Sequence, residues 1–187
     1  MFPSIVRHRG ELVIVNQRER ARLPTTSDDV TWMLDTIAVC RDVPIIAGGW
    51  GVDALLGEQT HEHHDLDVLL DHRAIKRAVE LFNDEGFTVT TDWLPVRIEL
   101  SDIDNDRHID LHPIHEDGRS GFWQHGLDGA RFDYPVEVVA KGVIGGRTVR
   151  CLSAVKQIAL HTGYEFRDVD HHDIANLSKI TKPDNGN

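Results

Sequence analysis

Two aspartates, Asp65 and Asp67, flank a single leucine in the apolar segment DLDVLL, which has the character of a buried strand. Side chains two residues apart on a strand point to the same face, so both carboxylates project together. Like charges roughly 6–7 Å apart repel by about 2–3 kcal/mol at an effective dielectric of about 20. A hard divalent cation, which prefers carboxylate oxygens, would offset that repulsion. A pair of solvated aspartates at a strand end is the alternative, because a short motif does not decide alone.

A second set of polar residues alternates with apolar ones in VRIEL and HIDL, on either side of the turn-rich segment SDIDND. Pairing as an antiparallel hairpin about that segment predicts that Glu99 faces His108 and that Arg97 faces Asp110. All four side chains then share one face, since a slip of one residue would place polar groups in the core. This face supplies a candidate base. An ordinary amphipathic hairpin with a solvated charged face is the alternative.

Gly48 and Gly49 stand between an apolar strand pattern and a helical one. The N–H groups at a helix N-terminus bind phosphate, and glycine has no Cβ to block a close approach. A tight turn also uses such a pair, so the glycines alone are weak evidence. With the acidic residues, however, they complete the requirements of metal-assisted phosphoryl transfer: a phosphate site, metal ligands and a candidate base.

Hydrophobic periodicity predicts the elements that position these residues. An apolar stripe indicates a helix after Ser27, with Ser27 as its N-cap, and an amphipathic helix follows at about 72–85. Helices beginning at Ser153 and near Asp170 close the chain. Helices alternating with strands and then hairpins predict an α/β or α+β domain with a mixed sheet flanked by helices. The predicted strands are 43–47, 65–70, 87–91, 96–100, 108–113, 136–139 and 148–151, with a glycine-rich stretch at 118–129.

Composition limits the class of protein. The chain has 187 residues, 40% of them hydrophobic, which predicts one domain over 27–187 after an arginine-rich N-terminal extension at 1–26. No apolar run approaches the ~18 residues that span a bilayer, and the start lacks a signal-peptide core, so we expect a cytoplasmic protein without a membrane partner. The net charge of −11 has the wrong sign for binding nucleic acid and favours a positively charged small acceptor.

The string GGWGVDALLGEQTHEHHDLDVLLD, with WLPVRIEL and HIDLHPI further along, resembles the lincosamide nucleotidyltransferases and the related aminoglycoside 2″-nucleotidyltransferases. Both belong to the polymerase-β-like nucleotidyltransferase superfamily. The likeness continues through QIALHTGY and DVDHHDIANL, and it covers nearly everything from about residue 27 to 182. It implies the nucleotidyltransferase fold. It also implies transfer of a nucleoside monophosphate, with AMP from ATP as the first expectation, to a hydroxyl of an aminoglycoside- or lincosamide-type antibiotic. The sequence does not choose between ATP and GTP as the donor.

The same resemblance implies roles for individual residues. Gly48 and Gly49 would hold the triphosphate, while Asp65 and Asp67 would bind Mg²⁺, as one ion or two. Asp110 matches a third carboxylate that holds metal or takes the proton of the acceptor hydroxyl. The remaining candidates are Glu99, as a base or a contact for a cationic acceptor, and Arg97, His161 and Tyr164, as contacts for nucleotide or substrate.

The chain departs from the family pattern at His64, because family members often carry arginine beside the first aspartate. It is also too short for the C-terminal helical domain of some aminoglycoside enzymes. We therefore expect an acceptor pocket that is shallow or completed by a second protomer in a homodimer.

Two other functions stay open at this point. The same fold could modify a protein hydroxyl, as toxin–antitoxin-type nucleotidyltransferases do. Alternatively, His61, His63, Asp65 and Asp67 alternate along one possible strand face, and imidazoles with carboxylates suit Zn²⁺. That pattern would indicate a non-catalytic metal-binding protein, although histidines beside an exposed turn are more often surface residues.

Overall fold

The computed structural model describes residues 4–8, 11–15, 23–161 and 165–181, which form five α-helices and eleven strands. The helices are α1 (Ser27–Ala38), α2 (Gly48–Leu56), α3 (Ile75–Asp84), α4 (Ala154–Leu160) and α5 (Asp168–Thr181). The strands are β1 (Ser4–His8), β2 (Glu11–Val15), β3 (Ile45–Ile46), β4 (Leu66–Asp71), β5 (Thr88–Trp93), β6 (Arg97–Asp102), β7 (Arg107–Glu116), β8 (Phe122–His125), β9 (Arg131–Tyr134), β10 (Val139–Ile144) and β11 (Arg147–Leu152). No described helix has both the length and the apolar character needed to cross a bilayer.

Nine strands form one sheet in the order β10-β11-β3-β4-β7-β6-β5, with the β8–β9 hairpin attached to β7. Strand β4 runs parallel to β7, and β3 runs parallel to β11, while the other pairs are antiparallel. The predicted mixed sheet with two C-terminal helices is confirmed. Strands β1 and β2 pair separately within the predicted extension, of which residues 1–3, 9–10 and 16–22 lie outside the described residues. The boundary at residue 26 stays a prediction.

The main core covers one face of the central strands. Alternate residues of β4, such as Val68 and Leu70, are buried there with Leu111 of β7. Helices α1 and α3 pack on this face through side chains that include Met33 and Phe82, both 0% exposed. Each such side chain contributes about 1.5–3 kcal/mol when fully buried. The residues between them on β4 and β7 point to the opposite, polar face. There Asp67, Asp110 and His112 lie next to a second apolar cluster that includes Leu69 and Leu152.

The predicted register of the β6–β7 hairpin is wrong by two residues. Strand β6 continues to Asp102, whose carboxylate accepts hydrogen bonds from Arg107 at 3.1 and 2.5 Å and so closes a shorter turn than expected. A shift of two residues preserves the faces, because side chains alternate with a period of two. Arg97, Glu99 and Asp110 therefore still lie on one face. The observed pairs are Glu99 with Asp110 and Ser101 with His108.

Strands β8 and β9 were not predicted, since the glycine-rich stretch that contains them shows no clear alternation. They pair over four residues each, and the rings of Phe122 and Tyr134 stack across them with centroids 4.8 Å apart. The strand predicted at 136–139 begins instead at Val139, after a short 3₁₀ turn. The β8–β9 hairpin forms a wall of the cavity described below.

Helix α1 is capped one residue earlier than predicted, by Thr26 rather than Ser27. The Thr26 hydroxyl accepts a hydrogen bond from the Asp29 backbone N–H at 3.1 Å, and the Asp29 carboxylate accepts one from the Thr26 N–H at 3.0 Å. These reciprocal bonds form a capping box, which satisfies two N–H groups at the start of the helix.

Replacing the two residues separately tests this assignment. We expect Thr26→Ala to lower the free energy of unfolding by about 1 kcal/mol, because the cap is lost. Ser27→Ala should change it by less than about 0.5 kcal/mol, since alanine is well accepted at the first helical position. Urea denaturation of both variants gives the comparison. Equal losses would show that the Thr26 cap does not stabilise the helix.

Candidate active site

A cavity of about 720 Å³ lies on the polar face of the sheet, where β4 and β7 meet the N-terminus of α2. This volume is typical of sites for small ligands. Its lining includes the glycine turn, acidic residues of the central strands, and side chains of β8, β9 and the last two helices. These residues include Gly48, Gly49, Asp65, Asp67, Arg97, Asp110, His112, Gln124, Tyr134, Gln157, His161, Asp170 and Asp173.

The carboxylates of Asp67 and Asp110 are brought together by the parallel pairing of β4 with β7, in which these two residues are register partners. Asp65 lies just before β4, exposed on the same cavity wall. Burial, followed by the charges of Asp67, Glu99 and Asp65, raises the pKa of Asp110 to about 7. A cation among these groups would relieve both effects, because it favours the charged carboxylate.

His112 belongs to the same cluster and was missed by the sequence prediction. One ligand atom each from Asp67, Asp110 and His112 lies within 4.8 Å of the others. The Nε2 atom of His112 is 3.1 Å from Asp67 Oδ1. The spacing in HIDLHPI could have identified His112, because it follows Asp110 by two residues and so lies on the same face of the strand. Carboxylate oxygens with one imidazole fit a divalent cation.

The glycine turn is fitted against this acidic cluster. Gly48 has φ +58°, in the left-handed region, and a Cβ there would lie 2.1 Å from Asp67 Oδ2. The Ala47 N–H donates to the Asp67 carbonyl at 2.9 Å. Ala47 is also the N-cap of α2 and provides no side-chain cap. Gly48 and Gly49, in the first turn of α2, line the cavity beside the carboxylates. The N–H groups at the start of a helix are suited to binding an anion.

Arg97 and Glu99 form a connected group on the other side of Asp110. The Arg97 guanidinium pairs with Glu99, lies 3.6 Å from Asp110 Oδ2, and covers the Trp93 ring at 4.6 Å from its centroid. Glu99 also accepts a hydrogen bond from the Thr91 hydroxyl at 2.6 Å. Two donors therefore engage Glu99, and its carboxylate holds Arg97 at the cavity wall.

His161 lies on the wall formed by the C-terminal helices. Its Nδ1 is 2.9 Å from the Gln157 carbonyl oxygen, and its Nε2 is 3.9 Å from Asp170 Oδ1. The structure thus brings His161 to the same cavity as the acidic cluster. The other predicted contact on this segment, Tyr164, lies outside the described residues.

The histidines considered as zinc ligands point to other carboxylates. His61 Nε2 is 3.0 Å from Asp173 Oδ1, and His63 Nε2 is 2.5 Å from Asp53 Oδ2. Among the described residues, the group that could hold an ion contains neither imidazole. His64 is exposed, with Nδ1 3.4 Å from the Leu23 carbonyl oxygen. The alternation along the sequence therefore does not produce a common His₂Asp₂ site.

Known proteins match most of the chain. A family model described as aminoglycoside-2''-adenylyltransferase matches residues 33–177. The lincosamide resistance protein of Staphylococcus haemolyticus is 29% identical over 156 residues, which cover 83% of this chain and 96% of that protein. The lincomycin-bound crystal structure of the lincosamide antibiotic adenylyltransferase LnuA superposes with a TM-score of 0.77 at 28% identity, covering 85% of this chain and all of that one.

A more distant structure shares the fold. The complex of ANT(2'')-Ia with adenylyl-2''-tobramycin has a TM-score of 0.60 at 20% identity, covering 82% of this chain and 88% of that one. The resemblance noted in the sequence and the predicted nucleotidyltransferase fold are both confirmed by these matches.

Two glycine variants test the contact between the turn and the acidic cluster. Gly48 and Gly57 both have positive φ, +58° and +78°, but a Cβ on Gly57 would have no atom within 4 Å. Gly57→Ala should lower the free energy of unfolding by about 1–2 kcal/mol, because of backbone strain alone. Gly48→Ala should lower the free energy of unfolding by more than this. It should also weaken Mn²⁺ binding at least about tenfold, because its methyl group displaces the Asp67 carboxylate.

Urea denaturation and Mn²⁺ titration followed by electron paramagnetic resonance measure the two effects. Equal Mn²⁺ affinity in the two variants would contradict the fitted contact between Gly48 and Asp67.

Proposed function

This chain belongs to the aminoglycoside-2''-adenylyltransferase family of nucleotidyltransferases, and we propose that it transfers AMP from ATP to a hydroxyl of a lincosamide-type antibiotic. The observation that carries the proposal is the meeting of Asp67 and Asp110 beside the N-terminus of α2, within one cavity. Phosphoryl transfer depends mainly on positioning and electrostatic stabilisation, and this arrangement offers both.

Mg²⁺ is the proposed ion, held by Asp65, Asp67 and Asp110 as one ion or two, with His112 as a further ligand or as the group that orients Asp67. When bound, the metal supplies Lewis-acid stabilisation of the phosphate charge. The cluster of like charges supports this assignment, since the carboxylates need a positive partner to remain ionised together.

The order of strands supports separate places for the two substrates. The glycine turn follows β3 on one side of the acidic cluster, whereas Arg97 and Glu99 lie on β6 on the other side. We place the triphosphate over Gly48 and Gly49 and the acceptor toward β6. Attacking and leaving oxygens then lie on opposite sides of the α-phosphorus, as in-line displacement requires. The nucleoside extends toward the wall formed by α4 and α5, where His161 lines the cavity.

The proposed reaction is a single displacement. The acceptor oxygen forms a bond to the α-phosphorus, the bond to pyrophosphate breaks, and the hydroxyl proton passes to Asp110. Asp110 suits this role better than Glu99, because Glu99 is held by Arg97 and Thr91. Arg97 lies 3.6 Å from Asp110 and so can contact the phosphoryl group in transfer.

The choice of acceptor is supported by the relatives. Both lincosamide proteins match along nearly their whole length at 28–29% identity, whereas ANT(2'')-Ia is less similar. The net charge of −11 also favours a cationic acceptor. The homodimer expected from the short chain stays a prediction, although a single chain already encloses a cavity of about 720 Å³.

Carboxylate variants test the site. We expect Asp67→Asn and Asp110→Asn each to lower kcat/KM at least about a hundredfold, since roughly 3 kcal/mol of transition-state stabilisation corresponds to that factor. Asp71→Asn is the matched control. Asp71 lies on the same face of β4 but pairs with Arg73 outside the cavity, and its replacement should leave the activity unchanged.

The assay follows pyrophosphate release and the mass of the acceptor, with ATP, Mg²⁺ and either lincomycin or tobramycin. Chelation by EDTA should abolish turnover and added Mg²⁺ should restore it. Preference for tobramycin would overturn the acceptor assignment, and near-wild-type activity of Asp110→Asn would overturn the catalytic one.

A further inference from the structure

A hydrogen-bonded pair of buried polar side chains, Asp53 and His63, lies directly behind the glycine turn. His63 Nε2 is 2.5 Å from Asp53 Oδ2. The His63 side chain is 5% exposed and the Asp53 side chain is 2% exposed. The other carboxylate oxygen, Oδ1, accepts hydrogen bonds from the backbone N–H and the hydroxyl of Thr60, at 3.1 and 2.7 Å. Asp53 belongs to α2, so these bonds tie that helix to the segment leading into β4.

The electrostatics keep Asp53 in its charged form. Burial raises the pKa of this carboxyl, but the hydrogen bonds from His63 and Thr60 outweigh burial and lower the pKa below its usual value. A buried charge with its hydrogen-bonded partner contributes little net stability compared with well-packed apolar residues of similar volume. Unlike an apolar pair, however, it fixes the orientation of both side chains. The pair is therefore better explained by positioning than by stabilisation of the core.

The imidazole of His63 fills the space next to Gly49. A Cβ on Gly49 would lie 2.2 Å from His63 Nδ1 and 2.4 Å from Cε1. On its other side the ring packs near the buried Trp50, with centroids 5.0 Å apart. Gly48 fits against Asp67 in the same manner. Both glycines of the turn are thus held against side chains from the segment that carries the acidic cluster.

We infer that the Asp53–His63 pair fixes the phosphate turn at a set distance from the metal-binding carboxylates, so that metal and nucleotide bind cooperatively. This inference rests on the function proposed above. A metal ion held by these carboxylates would favour a phosphate at the turn only if the two sites are correctly spaced, and a displacement of about 1 Å can cost a hundredfold in rate. Asp53 and His63 are positioning residues in this scheme, because they act through Gly49 and the α2 helix.

Calorimetry with Mn²⁺ and α,β-methylene-ATP tests the inference on the full chain. The wild-type protein should bind the analogue more tightly with Mn²⁺ than without it. His63→Gln keeps a donor for Asp53 but loses the ring, and Asp53→Asn keeps the shape but loses the charge. In both, Mn²⁺ alone and analogue alone should bind as in wild type. The cooperative factor is the ratio of the affinity for the analogue with Mn²⁺ to the affinity without it. It should fall about tenfold or more, the loss typical when a partner of a metal ligand is removed.

Asp102→Asn is the matched control, because Asp102 is also buried and bonded to a basic side chain, Arg107, but lies outside the cavity. It should lose stability and keep the cooperative factor. An unchanged factor in His63→Gln, or an equal loss in Asp102→Asn, would overturn the inference. If neither His63→Gln nor Asp53→Asn folds, Thr60→Val replaces them in the test, because it removes one hydrogen-bond donor to Asp53. An unchanged cooperative factor in Thr60→Val would overturn the inference. Failure of wild-type protein to bind the analogue would count against the proposed function instead.

Discussion

Gathering two carboxylates, Asp67 and Asp110, within 4.8 Å of each other is the constraint on which the rest of this structure depends. Asp67 and Asp110 repel each other, and the repulsion grows as water is excluded. The protein brings them together through the parallel pairing of β4 and β7, which makes the two residues register partners. The apolar core on the opposite face of the same strands supplies the free energy that maintains this pairing.

The two faces of the central strands thus have different roles: one packs against helices, and the other lines the cavity. Val68 and Leu111 anchor the sheet to α1 and α3, while Asp67 and Asp110, which precede them in sequence, present carboxylates to the cavity. The strand order then distributes the chemistry along the polar face. The N-terminus of α2 lies on one side of the acidic cluster, and a guanidinium held by Glu99 and Trp93 lies on the other.

Local patterns in the sequence were sufficient to identify much of this site. Alternation predicted which residues of β4, β6 and β7 share the polar face, and the error of two residues in the hairpin register did not matter, because a slip of two preserves the face. The pairing of β4 with β7 is not local, so no pattern gave it. His112 was missed although it follows Asp110 at the right spacing, and the Asp53–His63 contact joins a helix to a loop, where periodicity carries no information. The β8–β9 wall was missed because its short strands lie among glycines.

The parallel pairing of β4 with β7 also determines when the ion site can appear during folding. Residues 66–71 and 109–114 are far apart in the chain, with α3, β5 and β6 between them in sequence. Contacts of such long sequence separation form late, since the entropy of loop closure opposes them. An unfolded chain then has no assembled site, so the Mg²⁺ and nucleotide of the proposed function would bind the native state selectively and stabilise it by mass action. Cells rich in Mg²⁺ and ATP would in this way shift the folding equilibrium of the enzyme toward its working form.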